Sequence, residues 1–115
     1  MTSFEPGDIV HAPFPHVERA IVVRRPALVL SIFNTRESIG GMLAWALMIT
    51  NADRPAWFED VPIPDASRQG LIIPSKVRTA KVATLATADM VRIGHVDDGV
   101  WAAVRSIVQD ALELS

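Results

Sequence analysis

The feature that most constrains this chain is how often its apolar runs are cut. Eight prolines and six glycines punctuate it, and the longest apolar stretch runs only from Met42 to Ile49. Runs that short favour strands over long helices until the C-terminal end, where the hydrophobic period changes. Gly7-Asp8 leads into Ile9, Val10 and His11, a first strand that Pro13 and Pro15 are expected to stop. Residues 21–31 read as a loop running into a second strand, with Pro26 at a strand start or edge because proline has no N–H for a ladder. Residues 34–41 form a loop, and 42–50 a third strand buried on both faces. Trp57–Ile63, Gly70–Ile73 and Lys81–Leu85 supply further short strands. Strands at such intervals predict a mainly β fold, a small closed or nearly closed barrel. Past it, Asp97 or Asp98 is placed to cap a helix. Its stripe of Val100, Trp101, Val104, Ile107, Val108, Ala111 and Leu112 packs on the barrel. Without a linker, a repeat or a low-complexity tract, residues 1–115 are expected to form one domain.

The absence of cysteine excludes a disulfide framework, a thiolate metal site and a cysteine nucleophile. His11, His16 and His95 show no metal-ligand spacing. No apolar stretch is long enough to span a bilayer and no signal segment opens the chain, so a soluble, cytoplasmic protein without metal or cofactor is expected. The formal net charge of −2 hides an uneven distribution. Residues 66–88 carry Arg68, Lys76, Arg78 and Lys81 and no acid, whereas residues 51–65 carry four acids and one arginine. Together with Arg19, Arg24, Arg25 and Arg36, those cations either converge on one positive face or solvate strand edges.

Three fragments in order carry a family resemblance. The first is Gly7-Asp8-Ile9-Val10 with Phe14-Pro15, and the second is Arg24-Arg25-Pro26-Ala27-Leu28-Val29-Leu30-Ser31. The third is Gly70-Leu71 through Pro74-Ser75, Val77-Arg78, Lys81-Val82 and Thr84-Leu85, followed by Ile93-Gly94-His95. This order and spacing resemble the PemK/MazF toxins of bacterial toxin–antitoxin pairs over nearly the whole chain. The resemblance implies an SH3-like β-barrel with a C-terminal α-helix and a homodimer. It also implies metal-free cleavage of single-stranded RNA to 2′,3′-cyclic phosphate and 5′-hydroxyl ends. Partners implied are a cognate antitoxin, whose tail lies over the RNA groove, and promoter DNA through the antitoxin complex.

Metal-free RNA cleavage uses the substrate's own 2′-hydroxyl as nucleophile. It needs a base for that proton, an acid for the leaving 5′-oxygen and a cation for the phosphorane. Arg25 is the first choice for the cation: it precedes Pro26 where a loop meets a strand, its planar fork suits phosphate, and it matches the family's catalytic arginine. Thr50 matches a threonine whose hydroxyl holds a phosphate oxygen, and Ser31 is placed to help similarly. Glu18 and His16 lie in the loop where family members often carry a glutamate, and either is a candidate base. Arg78 matches a second family arginine, a catalytic acid or phosphate clamp. Two positions on, where such members carry an acid, stands Ala80.

Arg24, Ser75, Lys76 and Lys81 are assigned to substrate binding. Trp57, in an expected loop, is placed either to stack on a base or to cap the barrel. Trp45 and Trp101 read as core, and His95 as a local hydrogen-bonding residue. Two alternatives stay open: a barrel that binds without cutting, which Ala80 favours, and a gyrase-directed toxin of the same fold. The missing C-terminal tryptophan speaks against the latter.

Overall fold

The computed structural model describes residues 3–15, 22–34 and 42–113. Six strands form one antiparallel sheet: β1 (Asp8–Pro15), β2 (Val22–Asn34), β3 (Met42–Asn51), β4 (Asp60–Ile63), β5 (Ser75–Ala86) and β6 (Val91–His95). They lie in the order β4-β5-β3-β2-β1-β6, and helix α1 (Asp98–Leu112) follows.

The fold is mainly β with one C-terminal helix, as expected, but the sheet does not close by hydrogen bonding. Its edges, β4 and β6, are instead brought together by a 3₁₀ turn, Ala66–Gln69. Gly70, at φ +93°, ends that turn, and Gly94 of β6 lies against it. A Cβ on Gly94 would collide with the Gln69 carbonyl, and one on Gly70 with the Ile93 carbonyl, so this approach needs glycine on both sides.

Alternation along the strands builds a core on each face of the sheet. Ile9, Leu28, Leu47, Ile49, Val61, Ile63 and Val77 pack with Val100 and Val104 of α1. Val10, Ala12, Phe14, Ala27, Val29, Ala44, Ala46, Met48 and Leu85 form the second cluster. Asp97 caps α1 by accepting a 2.9 Å bond from the Val100 N–H. The helix stripe holds as far as Val108, while Ala111 and Leu112 are exposed.

Four expectations are corrected. β1 runs through Pro13 to Pro15. Pro26 lies inside β2, where that strand is an edge, one of its two expected placements. Both are tolerated for one reason: β6 pairs β1 only from Asp8 to His11, and β3 pairs β2 only from Ala27 on. Residues 12–15 and 22–26 therefore form a two-stranded arm with an open side for each missing N–H. Gly70–Ile73 is a turn, not a strand, because Gly70 takes the left-handed conformation after the 3₁₀ turn. Trp57–Glu59 is also a turn, with Glu59 at φ 62°, leaving only Asp60–Ile63 as β4. Trp45, expected in the core, is 49% exposed; it lies on the α1 face of β3 but beyond the helix, edge-on to Phe33.

Candidate functional site

The second face of the sheet turns polar at one end. Antiparallel pairing sets Ala27, Met48, Arg78 and Asp60 in one row across β2, β3, β5 and β4, and Thr50 beside Lys76 in the next. Residues directly opposite point to the same face, so this row carries its side chains together. Continuing the β2–β3 register two residues past its last pair puts Arg25, at the base of the arm, across from Thr50.

These residues border a cavity of about 350 Å³ lined by Arg25, Met48, Thr50, Arg54, Pro55, Trp57, Arg78 and Lys81. Four of the eight are cations and none is a carboxylate. In a regular strand Arg78 and Lys81, three apart, would face opposite ways. They share the cavity because Met48 pairs with Arg78 while Leu47 pairs with Val82, which leaves Thr79, Ala80 and Lys81 as a bulge in β5. The Thr79 hydroxyl ties the bulge to the neighbouring turn by donating to the Glu59 carbonyl at 2.7 Å.

Arg78 is only 6% exposed, yet it has no carboxylate partner among the described residues. Its guanidinium donates to the Pro55 carbonyl at 2.9 Å and lies 4.4 Å from the centre of the Trp57 ring. The Lys81 ammonium is 5.9 Å from the same ring. Carbonyl and π-face thus steady a buried cation without neutralising it, which leaves its remaining N–H groups available to an anion. The segment that supplies both is itself held down. Asn51 Oδ1 accepts from the Asp53 N–H, the Lys76 ammonium donates to the Arg54 carbonyl at 2.6 Å, and Asp60 Oδ2 accepts from the Trp57 N–H at 2.9 Å.

Of the residues singled out from sequence, Arg25, Thr50, Trp57, Arg78 and Lys81 meet here. Arg24 is exposed opposite Pro13, and Ser31 pairs with Trp45; neither lines the cavity. Ser75 is buried and donates to the Ile73 carbonyl at 2.7 Å. Lys76 is buried against Asp60, 3.3 Å away. Arg68 sits elsewhere, 3.9 Å from Asp65. Glu18, His16, Arg19 and Arg36 lie outside the described residues. Arg54 was missed: it falls in the acidic 51–65 segment, where counting charge by segment conceals it.

His95 does not line this cavity and hydrogen-bonds elsewhere. Its Nδ1 is 2.9 Å from Asp8 Oδ1, while Asp8 Oδ2 accepts from Arg92 and from the Glu5 N–H. Burial pushes the Asp8 carboxyl up, but the bonds from His95, Glu5 and Arg92 outweigh it and hold the group below its usual range. Among the described residues, no three His, Asp or Glu side chains converge in a way that would hold a metal ion.

The family model for the PemK-like, MazF-like toxin of type II toxin–antitoxin systems matches residues 5–112. The chain belongs to this family of toxins. Solved structures share the fold. The MazE–MazF complex of Deinococcus radiodurans aligns with a TM-score of 0.72 at 22% identity, covering 100% of both chains. An endoribonuclease in complex with its cognate antitoxin from a Mycobacterial species gives 0.69 at 16%, covering 98% of each. The Mycobacterium tuberculosis toxin MazF-mt6 gives 0.60 at 22%, covering 92% of this chain and 97% of that one. A comparison with curated protein sequences gives no match. No helix among the described residues is long and apolar enough to cross a membrane.

Proposed function

We propose that this chain is the endoribonuclease of a toxin–antitoxin pair, cutting single-stranded RNA at the cavity bordered by Arg25 and Arg78, as a homodimer restrained by a cognate antitoxin. The observation that carries this is the convergence of Arg25, Arg54, Arg78 and Lys81 around Thr50, with no acid among the described residues of the lining. A site so charged fits a phosphodiester.

In the proposed reaction the 2′-oxygen attacks the adjacent phosphorus while a base takes its proton. The bond to the 5′-oxygen breaks as that oxygen receives a proton, leaving a 2′,3′-cyclic phosphate and a 5′-hydroxyl. Arg25 is assigned to the equatorial oxygens of the phosphorane, where its charge counts most as negative charge builds. Thr50 donates its hydroxyl to a phosphate oxygen. Arg78, already oriented by Pro55 and Trp57, clamps the neighbouring phosphate, and the exposed part of Trp57 stacks on a base. Ala80 leaves no carboxylate at the bulge, so the base is assigned to Glu18 or His16, which the sequence places between β1 and β2.

The test is cleavage of unstructured RNA in EDTA, with the new ends analysed chemically. Cyclic phosphate ends are expected, and Arg25→Ala should slow cleavage on the order of 100- to 1,000-fold. A requirement for added magnesium, or an unaltered rate in Arg25→Ala, overturns the mechanism. RNA binding without cleavage would favour the binding-module alternative that Ala80 suggests, and linearised DNA on induction would point to gyrase.

A further inference from the structure

We infer that the buried Asp60–Lys76 pair is the positioning element of this site: it holds the 54–57 segment so that Trp57 and Arg78 stay stacked, and thereby sets how tightly single-stranded RNA binds rather than how fast it is cut. The inference rests on the nuclease proposal for its substrate, but its geometry stands alone. Asp60 Oδ2 lies 3.3 Å from the Lys76 ammonium and accepts the Trp57 N–H at 2.9 Å. The same ammonium donates to the Arg54 carbonyl at 2.6 Å. One residue further on, the Pro55 carbonyl accepts from Arg78, whose guanidinium lies on the Trp57 ring. Two rungs of the β4–β5 ladder thus fasten both ends of the segment that carries the ring. Asp60 faces Arg78 in one, and Lys76 faces Pro62 in the other.

Stability alone does not account for this pair. Both side chains are about nine-tenths buried, so both charges are stripped of water. Asp60 Oδ1 is buried with no hydrogen-bond partner among the described residues, a further cost. Apolar residues of similar size at two such positions are commonly neutral or stabilising. What they would not supply is an acceptor for the Trp57 N–H and a donor for the Arg54 carbonyl. The pair's distinctive contribution is therefore the placement of the 54–57 backbone. Neither residue lines the cavity, so neither is assigned contact with substrate.

The experiment compares the full-length protein with the Asp60→Leu/Lys76→Met double variant and with Asp60→Asn, each also carrying Trp45→Phe to simplify the fluorescence. Three quantities are read: the unfolding temperature, acrylamide quenching of tryptophan emission without RNA, and kcat and KM on an unstructured RNA. Affinity for a non-cleavable 2′-O-methyl RNA serves as the probe of binding. For the double variant, an unfolding temperature held or raised is expected, with stronger quenching and about 10-fold weaker binding, the loss of one poorly stacked base. KM should rise with it and kcat stay within about threefold. Asp60→Asn, which leaves the Lys76 charge unpaired, should lower the unfolding temperature and also increase quenching. Unchanged quenching and affinity overturn the inference, as does a fall in kcat at constant KM. Should the unaltered protein neither bind nor cut RNA, the nuclease proposal fails, and the quenching measurement still decides the positioning role.

Discussion

Two regions of this molecule handle charge in opposite ways. Around Asp8, a buried carboxylate gathers Arg92, His95 and a backbone N–H, so positive and negative groups cancel within a few ångströms. Around Trp57, a buried arginine is held by a carbonyl and an aromatic face, and three further cations share the cavity with no acid among its described lining residues. The first arrangement satisfies itself and ties Ser3–Asp8 to β6, with Arg92 also reaching the Ser3 carbonyl. The second keeps its charge unspent, which is what an anion-binding site requires.

The sharpest way to break this contrast is to exchange the readouts. Arg25→Ala should cost about 100- to 1,000-fold in cleavage rate, while Arg92→Ala, an arginine of the self-cancelling region, should leave the rate within about twofold. Equal losses would show that the two regions are not functionally distinct.

Next in size, Asp8→Asn should cost about 2 to 3 kcal/mol of stability, since it removes the buried charge paired with Arg92 and replaces one of the two acceptor oxygens with a donor. That would be read as a fall in unfolding temperature on the order of 10 °C. Because the folded carboxyl titrates below its ordinary value of 3.8, its contribution is complete above that pH and is lost as pH falls through the lower, folded value. The acid limb of the stability profile should therefore flatten in Asp8→Asn, and an unchanged limb would refute the assignment.

Salt sharpens the comparison from the other side. If three or four cations at the cavity meet phosphates, raising salt from about 50 to 200 mM should weaken RNA binding roughly 20- to 50-fold, with a shallower slope in Lys81→Ala. Unfolding of the Asp8 region should respond far less, because its charges are paired and partly buried. The smallest effect expected is Trp57→Ala, about 10-fold in affinity for single strands. Affinity for duplex RNA, whose bases are already stacked, should barely move.

Much of this was legible from residues alone, and the failures have definite causes. The capped helix and its stripe follow from Asp97 and a 3.6-residue period, and the mainly β character from short interrupted runs. Prolines misled at positions 13 and 15, since a one-sided arm tolerates what a central strand would not, and sequence does not announce where a strand has one neighbour. Arg25, Thr50 and Arg78 could be matched to a family pattern. Lys81 joins them only through the bulge, and Arg54 only because the 54–57 segment folds back onto β5. Ser75 and Lys76 were expected to touch substrate on the strength of residue type and neighbourhood. Both are buried and neither lines the cavity, and burial depends on register.

The bulge at Thr79–Lys81 makes the composition of this cleft a matter of parity. Strict alternation over four steps would return Val82 to the face of Arg78, yet its partner Leu47 points the other way, so the bulge breaks the alternation once. Loss of one residue between Arg78 and Lys81 would set them two apart, which regular alternation keeps on one face. A deletion of one codon there would remove the irregularity and still leave the lysine in the cleft.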